Sequence, residues 1–170
     1  SPITNDQTPT ITGTAANITQ IFTSGKTTGF AESPLTVTGG MSIDQFTALD
    51  AKTSGTITGT ISSNDISTLS GIASTNNALT VSVSDSSVAA TALTALVGKT
   101  TGTVNVSASN TITGTYDEVL AVYNNTDIVG RAAANYSVSD SITIAKANVI
   151  AGTSGTVTAT ITETDMDSLL

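Results

Sequence analysis

Residues 53–70 read TSGTITGTISSNDISTLS, and residues 153–170 read TSGTVTATITETDMDSLL. At an offset of 100, without a gap, nine of the eighteen positions are identical: Thr53, Ser54, Gly55, Thr56, Thr58, Thr60, Ile61, Asp65 and Leu69. Most other positions keep their character, with Val157 standing for Ile57, Met166 for Ile66 and Ala159 for Gly59. An ungapped match of this length marks a chain built from recurring units. Each unit reads as a strand and then a short helix. Thr56, Thr58 and Thr60 alternate with Ile57, Gly59 and Ile61 at the two-residue period of a strand. Ser63 or Asn64 then stands where a cap belongs, ahead of a helical face of Ile66, Leu69 and Ile72.

The same alternation extends outward in both directions. Residues 1–9 hold two prolines and several turn formers and read as a linker. Thr10–Thr14 reads as a strand, followed by a helix over 15–24 with Ile18, Ile21 and Phe22 on one face. Leu35–Thr38 is the next strand, followed by a helix over 41–51 with Met41, Phe46 and Leu49. Residues 79–84 alternate again, and Asp85 to Ser87 can cap a helix bearing Val88, Ala92, Leu93, Leu96 and Val97. Thr103–Val106 follows. The second strand-like piece, Thr111–Thr115, reads as an insertion. Thr115 and Glu118 have the spacing of a capping box for a helix through Val119, Leu120, Val122 and Tyr123. Residues 136–139 lead to a helix with Ile142, Ile144, Val149 and Ile150. Units therefore fall near 10–55, 56–102 and 103–155, with an incomplete one at 156–170.

One strand and one short helix cannot cover their own apolar side, but a stack of them can. Successive strands in the same sense require parallel pairing with crossovers, which are right-handed in nearly all proteins. The expected fold is α/β: a right-handed solenoid with a parallel sheet on one side and short helices on the other. The alternative is an all-β sandwich. Lys26, Lys52 and Lys99 each fall at a helix end and are followed by a Thr/Ser pair and Gly. There a cation meets the negative end of the helix dipole, worth about 0.3–1 kcal/mol when exposed, and the glycine lets the chain turn into the next strand.

Composition narrows the function. Hydrophobic residues make up 38%, charged residues 11%, and mean hydropathy is +0.20, the balance of a folded chain. Thr and Ser supply about a third of the residues. Net charge is −8 with five basic residues, so no basic stripe exists to displace counterions from nucleic acid. Without cysteine or histidine there is no disulfide, no thiolate metal site and no imidazole base. No apolar run approaches the roughly 18 residues of a membrane span, and no signal peptide is visible at the start. The chain reads as non-catalytic. GKT at 25–27 and 98–100 lacks the earlier glycine of a P-loop and follows a helix where a P-loop precedes one. No cofactor is expected. Calcium is the one metal the side chains could take, through Asp44, Asp65, Asp85 and Asp140, but these stand near helix starts, where a carboxylate is favourable without a metal. Asp165 and Asp167 add only a short acidic pair.

The outward strand positions carry hydroxyls in rows. A surface-binding face of Thr56, Thr58, Thr60, Thr80, Ser82, Ser84, Thr103 and Asn105 is the candidate site, suited to glycans or ice. The same residue types also simply fit an exposed strand face.

The units Leu79–Gly102 and Ser137–Gly155, with their TSGT(I/V) joints, resemble the repeats of very large secreted surface proteins of bacteria, cyanobacteria especially. Thr8–Thr14 is similar to module joints of adhesins exported by type I secretion. The resemblance implies an extracellular, cell-surface structural role, without the calcium-binding nonapeptides that accompany many such proteins. The expectation is a segment of a longer surface protein or adhesin, serving as stalk or surface layer. Its partners would be neighbouring repeats, copies of itself or surface glycans, with no nucleic acid and no membrane insertion. A glycan- or ice-binding module and a self-assembling filament or phage-fibre subunit are the alternatives.

Overall fold

The computed structural model describes residues 8–25, 28–62, 64–73, 75–107, 110–151 and 155–163. In chain order these form β1 (Ile11–Gly13), α1 (Ala15–Thr23), β2 (Leu35–Met41), α2 (Ile43–Asp50), β3 (Ile57–Ile61), α3 (Ile66–Leu69), β4 (Ala78–Ser82), β5 (Ser87–Ala89), α4 (Ala90–Val97), β6 (Val104–Asn105), β7 (Thr111–Gly114), α5 (Tyr116–Asn124) and β8 (Ile128–Val129). A 3-10 turn (Arg131–Ala133), β9 (Asn135–Ile142), α6 (Ile144–Ile150) and β10 (Val157–Ile161) complete them. The class is α/β, and every pairing between these strands is parallel. The all-β sandwich is thereby overturned. Strands that all run one way need a return path between them, and the helices lie on those paths.

The sheet expected to be single is divided in two. One sheet has the order β1-β2-β3-β4-β6-β8 and the other β5-β7-β9-β10. The division arises because three successive passes of the chain each contribute two strand segments: β4 and β5, β6 and β7, β8 and β9. The first member of each pair joins the first sheet and the second member joins the second. Thr111–Thr115, read from sequence as an insertion, supplies β7, an interior strand of the second sheet. Val88, expected on a helix, is a buried residue of β5. Met41 and Ile142, also expected on helices, are the last residues of β2 and β9.

Core side chains line up across the strands. Ile11 stands beside Leu35 and Leu35 beside Ile57; Val81 stands beside Val104 and Val104 beside Ile128. In the second sheet Val88, Ile112, Tyr136 and Val157 form one row. The helices add Ile18, Phe46, Leu49, Leu69, Leu93, Leu96, Val119, Val122 and Ile150 to the same continuous core. Neighbouring helices touch as well: α1 with α2, α3 with α4, α4 with α5, and α5 with α6. Each fully buried Ile or Leu contributes up to about 1.5–3 kcal/mol.

The pairing pattern recurs. β1 meets β2 as Ile11 opposite Leu35, and 101 residues later β7 meets β9 as Ile112 opposite Tyr136. β2 meets β3 with a register shift between Thr36 and Gly40, and β9 meets β10 with the corresponding shift opposite Thr158 and Thr160. Gly29 and Gly130, also 101 apart, both have positive φ, 91° and 84°. The offset falls back to 100 at β3 and β10 because α6, with seven residues, is one shorter than α2, with eight.

Candidate functional surface

The strand–helix joints determine how the surface is displayed. At the entry to β3, Thr53 is buried; its hydroxyl donates to the Ser33 carbonyl at 2.7 Å and accepts the Gly55 N–H at 2.9 Å. Thr100 repeats the arrangement, its one hydroxyl proton within reach of both the Leu79 and Asn77 carbonyls, at 2.8 and 3.0 Å, and its oxygen accepting the N–H groups of Leu79 and Gly102 at 2.8 and 2.9 Å. A hydroxyl, being both donor and acceptor, closes its own turn and holds the preceding pass of the chain. The glycine after it has a role the sequence did not reveal. Gly55, Gly102 and Gly155 do not have positive φ. A Cβ on Gly55 would lie 2.5 Å from the Ser33 carbonyl carbon; on Gly102 it would strike the Leu79 backbone, and on Gly155 the Ala134 carbonyl. Close backbone approach, more than turning, requires glycine at these joints. Lys26, Gly152, Thr153 and Ser154 of the same motif lie outside the described residues. Lys52 and Lys99 stand just past the C-caps Ala51 and Gly98, beyond the last helical turn. Arg131 does reach a helix end: its Nε donates to the Tyr123 carbonyl of α5 at 2.8 Å.

Carboxylates cap helix starts across passes of the chain. The Ile66 N–H at the start of α3 donates to Asp85 Oδ2 at 2.6 Å. The Tyr116 N–H of α5 donates to Asp140 Oδ1 at 2.7 Å, and the Ile144 N–H of α6 to both oxygens of Glu163 at 3.1 Å. Each carboxylate lies 19 to 24 residues beyond the amide it receives. Asp65 instead caps its own helix, accepting from the Ser67 hydroxyl at 2.6 Å and from the Thr68 N–H and hydroxyl at 2.9 Å. These bonds, the Ser67 hydroxyl foremost, hold its carboxyl down at about 2. Asp44 lies in the first turn of α2. Of the four candidate calcium ligands, Asp65 and Asp85 thus share the start of α3, while Asp44 and Asp140 stand at those of α2 and α5, and among the described residues no group of three or more acidic side chains could hold a metal. Asp165 and Asp167 lie outside those residues, as does Ser63. Thr115 and Glu118 form the capping box expected of them, with the Thr115 N–H donating to Glu118 Oε2 at 2.8 Å.

The hydroxyl candidates belong to the first sheet and its margins. Thr58 stands opposite Thr36 on one side and Ala78 on the other. Thr60 stands opposite Thr80, and Ser82 opposite Asn105, whose Nδ2 donates to Ser82 Oγ at 3.3 Å. Thr56, Thr58, Thr60 and Ser84 are exposed, whereas Thr80, Ser82, Thr103 and Asn105 are half-buried. Ala78 interrupts one row and Val129, opposite Asn105, ends another. The second sheet carries rows absent from the candidate set: Ser87, Thr111 and Asn135, and Ala89, Thr113, Ser137 and Thr158. The signal for them was present. TITGT stands at 10–14, 56–60 and again at 111–115.

Two tyrosines join α5 to the second sheet, Tyr123 from the helix and Tyr136 from β9. Tyr136 and Tyr123 meet edge to face at 6.2 Å, and the Tyr136 hydroxyl donates to the Arg131 carbonyl at 2.7 Å. Burial pushes the Tyr136 phenol up to about 12. Among the described residues no helix is long and apolar enough to cross a membrane. No family model matches the chain, and no curated protein or solved structure matches it.

Proposed function

We propose that this chain is a stacked array of strand–helix coils, a right-handed solenoid, serving as a non-catalytic structural stretch of an extracellular bacterial surface protein. The observation that carries this reading is the placement of its polar bonds. The Thr53 and Thr100 hydroxyls, the flat-packed glycines and the capping carboxylates Asp85, Asp140 and Glu163 all join one pass of the chain to the next. Polar chemistry is spent on joining coils, and the surface left over is acidic and hydroxyl-rich. Stacking gives length, and a net charge of −8 favours solubility. Neighbouring repeats or further copies are the natural partners, and nucleic acid is not. The test has two parts. Small-angle scattering should give an elongated particle, and antibodies to this segment should label intact cells producing the parent protein. Labelling only after lysis would sink the surface assignment.

A second reading, a binding face for glycans or ice, is favoured by the rows of the second sheet, where neighbouring hydroxyls recur at the strand spacing of about 4.8 Å. Ice-recrystallisation and glycan-array assays should then show loss of activity in a variant with Thr111, Thr113 and Ser137 changed to Ala. Inactivity of the unaltered chain in both assays removes this reading.

A further inference from the structure

The outer edge of β10 is an acceptor for one more coil, and the chain itself shows what that coil looks like. β10 recurs on β3: both pair on one side through even-numbered residues. Leu35 N–H bonds to the Thr56 carbonyl and Tyr136 N–H to that of Thr156; Ser62 N–H bonds to the Met41 carbonyl and Thr162 N–H to that of Ile142. The odd-numbered residues of both strands face the other way. In β3 that other edge is filled. Gly59 stands opposite Leu79, Thr60 opposite Thr80, and the Ile57 N–H is taken by Asn77 Oδ1 at 2.6 Å. In β10 that edge has no strand beside it among the described residues.

Burial agrees with the topology. Ile57 and Ile61 are 0% and 1% exposed under the cover of the following coil. Their counterparts Val157 and Ile161 are only half-buried, although the β9 side of the strand is built in the same way. Apolar side chains and strand-edge amides left together form a docking edge.

We propose that β10 takes, in parallel register, a coil of the type formed by residues 75–105. Its chemistry is specific: an asparagine amide placed to receive the Val157 N–H, then apolar residues at alternate positions as at Leu79, Val81 and Val83, then a helix like α4. This rests on the stacked-array reading above, but it concerns one edge in solution. A parent protein found inside the cell would leave it standing.

The test is amide hydrogen exchange on the purified chain, compared with the chain carrying a second copy of residues 71–107 after Leu170. Exchange at Val157, Ala159 and Ile161 should slow by about tenfold or more, towards the rates of Ile57, Gly59 and Ile61. An extension in which the copied Leu79 and Val81 are both replaced by Asp should leave those rates unchanged. Unchanged rates with the intact extension overturn the proposal. So does equal protection in the two variants. A second measurement needs no extension. A peptide of residues 75–89, titrated into the unmodified chain, should shift the amide signals of Val157–Ile161 and spare those of Ile11–Gly13. Shifts at β1 alone, or concentration-dependent dimers of the unmodified chain that already protect β10, would assign the edge to another occupant and overturn it.

Discussion

Residues 10–62 and 111–162 fold onto the same backbone plan with different side chains. β1, α1, β2, α2 and β3 of the first stretch correspond to β7, α5, β9, α6 and β10 of the second, with matching registers. Their cores divide the volume differently. The first has Ala15 at the start of α1 and Phe46 in α2; the second has Tyr116 and Ala147 at those places. Leu35 gives way to Tyr136, whose hydroxyl finds the Arg131 carbonyl. Lys146 lies over the Tyr116 ring at 4.6 Å, where Gln45 in the first stretch instead completes a capping box with Ser42. Strand pairing and the close-packed glycine of the joint, Gly55 and Gly155, are held constant, while the packing between adjacent helices is free to exchange large residues for small ones.

The sharpest way to break this equivalence is to transplant it. Phe46 is 1% exposed, so Phe46→Ala should cost about 3–5 kcal/mol. If the two stretches are alternative solutions to one packing problem, Ala15→Tyr added to Phe46→Ala should recover about 1 kcal/mol or more. Urea denaturation of the single and double variants gives the coupling directly. Strict additivity, with the tyrosine making matters worse, would mean that the cores are unrelated.

The joints should behave in the opposite way, tolerating nothing in either stretch or in the passes between them. Gly55→Ala, Gly102→Ala and Gly155→Ala each drive a methyl into the preceding pass of the chain and should each cost about 2–3 kcal/mol. Gly39 gives the contrast: its φ is 79°, but a Cβ there meets nothing within 4 Å. Gly39→Ala should cost about 1 kcal/mol, from backbone conformation alone. Equal losses at Gly39 and Gly102 would show that close approach is not what the joint glycines serve.

These contrasts explain what the sequence disclosed. Alternation located eight strands because each alternates a covered residue with an open one, as Ile57 does with Thr58. β5 and β8 escaped notice for local reasons: Val88 of β5 reads equally as the start of the helical face that continues through Ala92 and Leu96, and Ile128–Val129 follow directly on the polar run Asn124–Asp127. The second sheet followed them out of view, since a pass that forms two strand segments looks locally like one strand and a loop. Asp140 illustrates the limit at the surface. Sequence placed it near a helix start, but the helix it caps is the one before it, α5, and only topology brings them together.

That cap separates the two stretches again. α1 relies on its own Thr14, whose hydroxyl accepts the Asn17 N–H at 3.3 Å. α5 adds to its own Thr115–Glu118 capping box the Asp140 carboxylate from β9, where the first stretch has Gly39. Asp140→Ala should destabilise by about 1–2 kcal/mol and speed exchange at the first turn of α5, whereas Thr14→Ala should cost about 1 kcal/mol and act on α1 alone. Loss of protection spread evenly over both helices would contradict the assignment of Thr14 to α1 and Asp140 to α5.

The smallest effect belongs to Asp65, which is fully exposed and caps its own short helix. Its carboxyl lies at about 2 against an ordinary 3.8, held there by the Ser67 hydroxyl and the Thr68 amide and hydroxyl. A depressed acid favours the fold while ionised, so its contribution is complete above about pH 4 and disappears as the pH falls through about 2. An NMR titration of the Thr68 amide should therefore show a midpoint near 2, and Ser67→Ala should move it up towards 3.8. A midpoint already near 3.8 in the unaltered chain would remove the local cap, leaving α3 anchored at its start by the Asp85 carboxylate on the Ile66 N–H, as α5 is by Asp140.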